Sequence, residues 1–511
     1  MRNALLLLLC GLLVSCFGGQ NGDSEQDMSA FGVYVDSLNA ERQKSCMQQL
    51  VSADTSKYVA DNIVKKHYDI NGSMDSIPLW FDRMGVRPDA DSVLSFLRYE
   101  VPRNGLDTLA FFIPQIAADL DVVHKLSFDS LQLDINDVLM RLDYCLTKAY
   151  VRYATGMRHG FMRPEHTFNH LQHKKESQAY LRLFDFSTPS PSYSEALKNI
   201  STPECLSYLK ASVPANATYN KLQEAFVQSK DTAFRSKLAV NMERCRWQIK
   251  QPTDNEHMVV VNIPAQQLWA VGKDSVLNMK ICCGATTTKT PLLNSNLTYM
   301  QVNPEWVITS NIIKDDVSHH AGDSAYFARH RYFIVDKTSG DTLNPSHVSG
   351  ERMKSGSLKI AQRGGAGNSL GRIVFRFPNN FSVYLHDTNN RGAFSYERRT
   401  LSHGCVRVEK PLELAFFLLP NADDWLKEKL RISMDFPPKT PRGKEYLKTH
   451  RDDPRPLRLI SYHDISPRVP LYIVYYTTYP NPENGRIETR SDVYGYDQAI
   501  SNALKGIIAR R

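Results

Sequence analysis

The chain has 511 residues, of which 42% are hydrophobic and 23% charged, and it carries a formal net charge of +8. That length predicts two or three hydrophobic cores rather than one, and the composition is that of an ordinary soluble globular chain. The charge excess is mild, and no block of five or more like charges occurs, which speaks against nucleic-acid binding.

The first sixteen residues read as a targeting segment. Arg2 is a short positive region, an apolar run extends from Ala4 to Val14, and Leu13-Val14-Ser15-Cys16 ends it. The run is too short to span a bilayer comfortably. Leu-x-Ser-Cys in this position resembles a bacterial lipoprotein signal, with cleavage before Cys16 and lipid on its thiol; an ordinary secretory signal is the alternative. Residues 17–30 are rich in Gly, Ser, Asp and Gln and read as a flexible tether. From about 31 to 245 the chain reads as mainly helical. Ile135, Val138, Leu139, Leu142, Cys145, Leu146, Ala149, Tyr150 and Tyr153 recur at three- and four-residue steps and predict a helix near 134–155 with one apolar face. Gly156 and Gly160 are its expected stops. Residues 187–194 read as a loop, and shorter helices follow to 243.

Near residue 257 the pattern changes to short β-branched and aromatic runs: 258–263, 268–271 and 276–283. Further on, Ile373, Phe375 and Phe377 alternate with Val374 and Arg376, then Val383 and Leu385 with Tyr384 and His386. Period-two alternation places Tyr384 and His386 on one face of a strand. Residues 257–435 are therefore expected to be mostly β. A polar segment, 310–366, interrupts them; its His319, His320, His330 and His347 fit no standard metal spacing and read as loop residues. Helices are expected at 411–419 and 423–430, with Pro411 in a first turn. Runs 471–478 and 486–494 flank Asn484-Gly485 and predict a hairpin. The fold class expected is multidomain α+β: a helical scaffold over 31–245, a mostly-β domain over 257–435 carrying an insertion over 310–366, and a C-terminal segment, 436–511, returning to the scaffold.

Nine cysteines are present; with Cys10 removed in the signal and Cys16 lipidated, seven remain, so at least one is free unless it bridges to another chain. Cys405 is the expected free thiol. It lies in Ser402-His403-Gly404-Cys405-Val406-Arg407, and fifteen residues separate Ser402 from His386. A thiol attacks carbonyls as thiolate and needs a base or positive charge nearby. His386, from a neighbouring strand, is the candidate general base. His403 and Arg407 add donors, Gly404 lets the backbone approach a bound carbonyl, and the amides of His403, Gly404 and Cys405 can point at an oxyanion.

The pattern His386, fifteen residues, then Ser-His-Gly-Cys-Val-Arg resembles the signature of bacterial L,D-transpeptidases with the YkuD-type catalytic domain. Val259-Val-Val-Asn-Ile-Pro-Ala265, Asn303-Pro-Glu-Trp306, Gly367-Asn-Ser-Leu-Gly371 and Tyr384-Leu-His-Asp-Thr388 resemble further segments of that family. Pro78-Leu-Trp80, Asn104-Gly-Leu106 and Arg152-Tyr-Ala-Thr-Gly-Met-Arg-His-Gly160 resemble the scaffold of its large YcbB-like subfamily, and Tyr475-Tyr-Thr-Thr478 with Asp492-Val-Tyr-Gly-Tyr-Asp497 resembles its tail. Two features depart from the subfamily: Arg363-Gly-Gly365 replaces a Gln-Pro-Gly-like run, and no separate peptidoglycan-binding repeat occurs between 165 and 245.

The resemblance implies that Cys405 acylates on a peptidoglycan stem peptide and that an amine of a second stem resolves the thioester, with no metal or organic cofactor. It implies that Tyr384 and Arg407 shape the pocket or hold a substrate carboxylate, and that Ser402 orients His386 or serves as a plain turn hydroxyl. Asn303 and Trp306 are expected to support packing, and the insertion to act as a lid. The partners implied are stem peptides and, through lipid on Cys16, a membrane, with the chain in the cell envelope. The alternatives are an L,D-carboxypeptidase or a protein-anchoring enzyme on the same site, a cysteine peptidase, and a non-catalytic wall-binding lipoprotein.

Overall fold

The computed structural model describes residue 34 and residues 37–69, 78–82, 85–174, 179–249, 257–450 and 458–509. Cys16, the signal segment and the tether lie outside them. Among the described residues no helix is long and apolar enough to cross a membrane. The chain divides into two compact units, a helical one comprising Met1–Arg163, Thr188–Ile249 and Ile500–Arg511, and a β-rich one comprising Pro164–Ser187 and Lys250–Ala499.

The helical unit is built on the central helix Ile135–His159. Asp134 caps its start, accepting from the amides of Asn136 and Asp137, and Gly160, at φ 88°, ends it. Gly156 lies inside the helix instead of stopping it: a Cβ there would sit 2.0 Å from the Phe161 ring, so the glycine serves packing. The sequence predicts one apolar face, but the helix is buried almost all round. Its inward charged residues are paired. Arg152 bonds Asp61, Lys148 reaches Asp54 at 2.5 Å and Asp61 at 3.4 Å, and Asp143 accepts from Tyr68 and from the amides of Leu79 and Trp80. Truncating one member of such a pair leaves a buried charge uncompensated, which costs about 3–5 kcal/mol. Ile508 pairs with Leu106, so the last residues return to this unit.

Eight strands of the β-rich unit hydrogen-bond into a closed ring. In chain order they are β1 (Met258–Asn262), β2 (Gln267–Val271), β3 (Val276–Gly284), β4 (Leu292–Val302), β5 (Ile373–Arg376), β6 (Leu385–His386), then, after the short β7 (Thr400–Ser402), β8 (Val406–Val408) and β9 (Tyr462–Val474). The ring runs β5-β6-β8-β3-β2-β1-β9-β4 and closes through β4 on β5, with β7 flanking β3. Closure removes exposed edges. Val259, Val261, Leu268, Ile281, Leu297, Val374, Leu385, Leu471 and Ile473 are fully buried in it.

Three boundaries differ from the sequence expectation. Leu471–Val474 belongs to β9, held between β1 and β4, because its apolar run can be covered on both edges there; the hairpin is only Thr478–Pro480 with Ile487–Thr489. Residues 164–187, expected in the scaffold, pack with the β-rich unit: Phe184 pairs with Leu292, and the Phe168 ring lies 4.7 Å from that of Tyr496. The insertion starts at Trp306 and is a small module with its own four-stranded sheet, ordered Thr342–Leu343, Tyr332–Asp336, Leu358–Gln362 and Trp306–Val307. Val317, Phe327, Ile334, Met353 and Ile360 form its core, a set too short and scattered to outweigh the polar residues in the sequence pattern. His320 stacks on Tyr326 at 3.8 Å in that module.

Candidate active site

The site is made by two adjoining parallel strands. Leu385 pairs with Val406 and His386 with Arg407, and the Val406 amide donates to the Tyr384 carbonyl at 3.1 Å. Because side chains alternate along a strand, this register puts Tyr384, His386, Cys405 and Arg407 on one face, across a single strand spacing of about 4.8 Å. The rings of Tyr384 and His386 lie 5.9 Å apart, edge to face, and the Cys405 thiol adjoins the Tyr384 hydroxyl. Arg376 of β5 lies over the Tyr384 ring at 4.4 Å and donates to Gln301 Oε1 at 3.0 Å. Trp306, at the start of the insertion, adjoins the same Tyr384 hydroxyl, so the insertion reaches the site.

His386 is buried, with its Nδ1 2.5 Å from the Asp387 carbonyl oxygen. A carbonyl can only accept, so Nδ1 carries the proton and Nε2 keeps its lone pair. The Leu370 carbonyl also faces the ring. The Gly367–Gly371 segment sets that carbonyl. Buried Asn368 accepts from the Leu370 amide at 2.7 Å and donates to the Pro304 and Arg363 carbonyls. Gly371, at φ 64°, lies against Asp387: a Cβ would be 2.4 Å from its carboxyl. Asp387 accepts from the Arg372 amide at 2.8 Å and from Arg391 at 3.1 Å.

The turn carrying Cys405 is tied down by its carbonyls. That of Ser402 accepts from the Ala285 amide and from Thr288 Oγ1, each at 2.9 Å; that of Gly404 accepts from Thr290 Oγ1 at 2.8 Å; that of Cys405 accepts from Ser402 Oγ at 2.5 Å. Ser402 Oγ in turn accepts from the Gly404 amide at 3.1 Å. Ser402 is thus a turn hydroxyl and does not orient His386. The Gly404 amide is engaged, while among the described residues those of His403 and Cys405 have no hydrogen-bond partner. Gly404, at φ 114°, adopts a backbone that a side chain strains. His403 is exposed beside it.

A buttress stands behind the turn. Thr290 Oγ1 also accepts from the Gly284 amide at 2.8 Å. Tyr494 donates to the Gly284 carbonyl at 2.6 Å and accepts from the Thr290 amide at 3.2 Å. The Tyr494 amide donates to Tyr475 Oη, which donates to Asp492, and Asp492 accepts from the amides of Tyr496 and Asp497. Sequence reasoning missed Thr288, Thr290, Tyr494 and Arg376 as site residues. The Asp492–Asp497 run was a visible signal; the threonines, in an unremarkable polar stretch, gave none.

All seven described cysteines are free. Burial pushes Cys145 and Cys283 up to about 12 and Cys46 and Cys205 to about 11, so these thiols are inert. Burial raises Cys405 too, against the Tyr384 amide and the charges of Arg376 and Arg407. Cys46 is equally half-buried and also has two arginines near it; what distinguishes Cys405 is its place beside Tyr384 on the face that carries His386. Burial, then the Arg407 charge, drive the His386 imidazole down to about 3. Thiol and imidazole therefore both rest neutral. Among the described residues Arg407 makes no ion pair or hydrogen bond, and its buried Nε has no partner.

Residues 256–432 match the family described as L,D-transpeptidase catalytic domain, and residues 64–226 match the one described as Scaffold domain. The chain joins an L,D-transpeptidase catalytic domain to a scaffold domain. A Haemophilus influenzae protein named "Putative L,D-transpeptidase" is 30% identical over 277 residues, 54% of this chain and 51% of the relative. The chain thus spans about half the length of that relative. In the transpeptidase domain of this chain, β9 and the Tyr494 buttress lie beyond the matched segment yet complete its ring and hold its catalytic turn.

Proposed function

We propose that the chain is a cysteine-dependent L,D-transpeptidase that forms 3→3 peptidoglycan cross-links. The observation that carries this reading is the grouping of His386, Cys405 and Arg407 on two parallel strands, with the carbonyls of Ser402, Gly404 and Cys405 each hydrogen-bonded. Cys405 attacks the carbonyl of the stem's third residue, a diamino acid, while His386 Nε2 takes the thiol proton. The amides of His403 and Cys405 hold the oxyanion. Collapse breaks the bond to the terminal D-alanine, whose nitrogen takes the proton from His386, leaving a thioester. The side-chain amine of a second stem attacks that thioester; its proton passes through His386 back to sulfur, and the 3→3 amide is formed.

Arg407, which has no anionic partner of its own, holds a substrate carboxylate, and Tyr384 shapes the pocket beside the thiol. The insertion, through Trp306, screens the thioester from water and favours the amine acceptor. Lipid on Cys16 keeps the enzyme in the cell envelope, facing the wall. Incubation with disaccharide-tetrapeptide tests the reading: cross-linked dimers and free D-alanine are expected, and both vanish in Cys405→Ala. Tripeptide without dimers would make the enzyme an L,D-carboxypeptidase instead. A carbapenem is expected to add its own mass to Cys405, and an unmodified intact mass would count against the thiol as nucleophile.

A further inference from the structure

The helical unit holds an open-mouthed polar cavity of about 220 Å³ at the C-terminal end of the central helix. Arg158, His159, Ser192, Glu195, Tyr208 and Gln248 line it. Arg158 and His159 belong to the Arg152–Gly160 run, which the catalytic chemistry leaves without a role.

The lining groups are unspent. His159 Nδ1 is buried without a partner. Its other side faces the Pro189 carbonyl, which can only accept, so the proton sits on that side and Nδ1 keeps its lone pair. Burial and the Arg158 charge lower the pKa of His159, keeping this acceptor neutral. The Arg158 guanidinium lies over the Tyr208 ring at 4.6 Å, and among the described residues it donates no hydrogen bond and meets no carboxylate within ion-pair range. The Glu195 carboxylate, at the mouth, accepts none. Only the Arg158 backbone is engaged, its carbonyl accepting from Gln248 at 2.6 Å.

The balance of these groups selects the ligand. One cation, one anion, hydroxyls and a phenol do not favour a lone anion, and two carboxylates for a metal are lacking. A neutral ring bearing several hydroxyl and amide groups can donate to Glu195 and accept from Arg158 at once. The volume suits one such ring and excludes a folded peptide. We infer that this cleft binds a sugar ring of the peptidoglycan glycan strand. The identity of the polymer rests on the proposed function; the preference for a polar ring rests on the cleft. Such a site would supply a hold on the wall where the sequence has no separate peptidoglycan-binding repeat.

The test uses the full chain and peptide-free peptidoglycan glycan oligomers, followed by calorimetry and saturation-transfer NMR. Wild type and Cys405→Ala are expected to bind equally. Arg158→Ala, Glu195→Gln and the cavity-filling Ser192→Trp are expected to weaken binding at least tenfold. Glu195 and Ser192 are exposed, so their variants keep the fold, and an unchanged melting temperature verifies it. Turnover of a soluble disaccharide-tetrapeptide should be unchanged in these variants, while turnover of polymeric sacculi falls. Absence of glycan binding, equal binding by all variants, or binding of free stem peptide in its place would each overturn the inference. Failure of the transpeptidase reading appears separately, as wild-type protein that binds glycan but yields no cross-linked product.

Discussion

Exchanging Tyr494 for phenylalanine deletes one oxygen, and that oxygen joins the β3 end to the loop that grips the catalytic turn. It donates to the Gly284 carbonyl at 2.6 Å and accepts from the Thr290 amide at 3.2 Å, both groups being buried. Each partner left unsatisfied costs about 1–3 kcal/mol, so Tyr494→Phe should destabilise the unit by about 2–6 kcal/mol. The larger consequence is positional. Thr290 Oγ1 holds the Gly404 carbonyl, and with it the peptide plane that aims the Cys405 amide. Displacing such donors by 1 Å costs about 100-fold in rate, so a partial shift should lower kcat by about 10–100-fold and leave KM within about threefold. The assay is single-turnover acylation of Cys405 by tetrapeptide, read by intact mass at a temperature well below both melting points. Thr290→Val should reproduce the kcat loss and Thr290→Ser should restore most of it, a split that a merely loosened fold does not produce. Wild-type acylation in folded Tyr494→Phe would refute the reasoning.

Three further outcomes follow from the same geometry. Gly371→Ala places a methyl 2.4 Å from the Asp387 carboxyl at a residue with φ 64°; loss of more than about 3 kcal/mol by urea unfolding is expected, since overpacking and backbone strain add, and a change under 1 kcal/mol would contradict it. Ser402→Ala removes the hydroxyl between the Cys405 carbonyl and the Gly404 amide; stability should fall by about 1–2 kcal/mol and kcat with it, whereas a shifted pH profile with unchanged stability would mean that Ser402 acts on His386 after all. Burial and Arg407 hold folded His386 at about 3, while the unfolded imidazole titrates near 6.5. The folded state therefore binds fewer protons between these values, so this group costs no stability above pH 6.5 and removes it progressively as pH falls toward 3. Relative to His386→Gln, the wild type should lose about 2 kcal/mol by pH 5, measured by urea titration; parallel pH curves would show that the ring is not held neutral.

The chemistry-bearing residues were legible because they are contiguous or obey period two. Tyr384 and His386 had to share a face, and the Ser402–Arg407 run had to form a turn, whichever strands flanked them. The partnering of β6 with β8 was not legible, since parallel register depends on closure of the whole ring. The same limit explains β9: Leu471–Val474 reads equally as a hairpin arm or an inner strand, and only its burial between β1 and β4 decides. In the central helix the apolar positions announced a helix but concealed its depth, because Asp143, Lys148 and Arg152 look like a solvated face until Asp54, Asp61 and Tyr68 arrive from distant sequence. For Ser402 the sequence left two roles open, and the nearby carbonyl of its own turn captures the hydroxyl.

The electrostatics of the site favour an enzyme that stays silent until filled. Burial, with two arginines nearby, keeps the imidazole unprotonated, and burial keeps the thiol protonated, so no standing thiolate is exposed to oxidants. A substrate carboxylate on Arg407 would neutralise the nearest charge that depresses His386. That raises the basicity of Nε2 at the moment a carbonyl lies over the sulfur, and proton transfer becomes easier only with the correct ligand present. An uncharged amide lacking that carboxylate would leave Arg407 bare and the imidazole a poor base. Selectivity for a carboxylate-bearing stem would then arise in kcat as well as in binding, through one guanidinium that the protein leaves without a partner of its own.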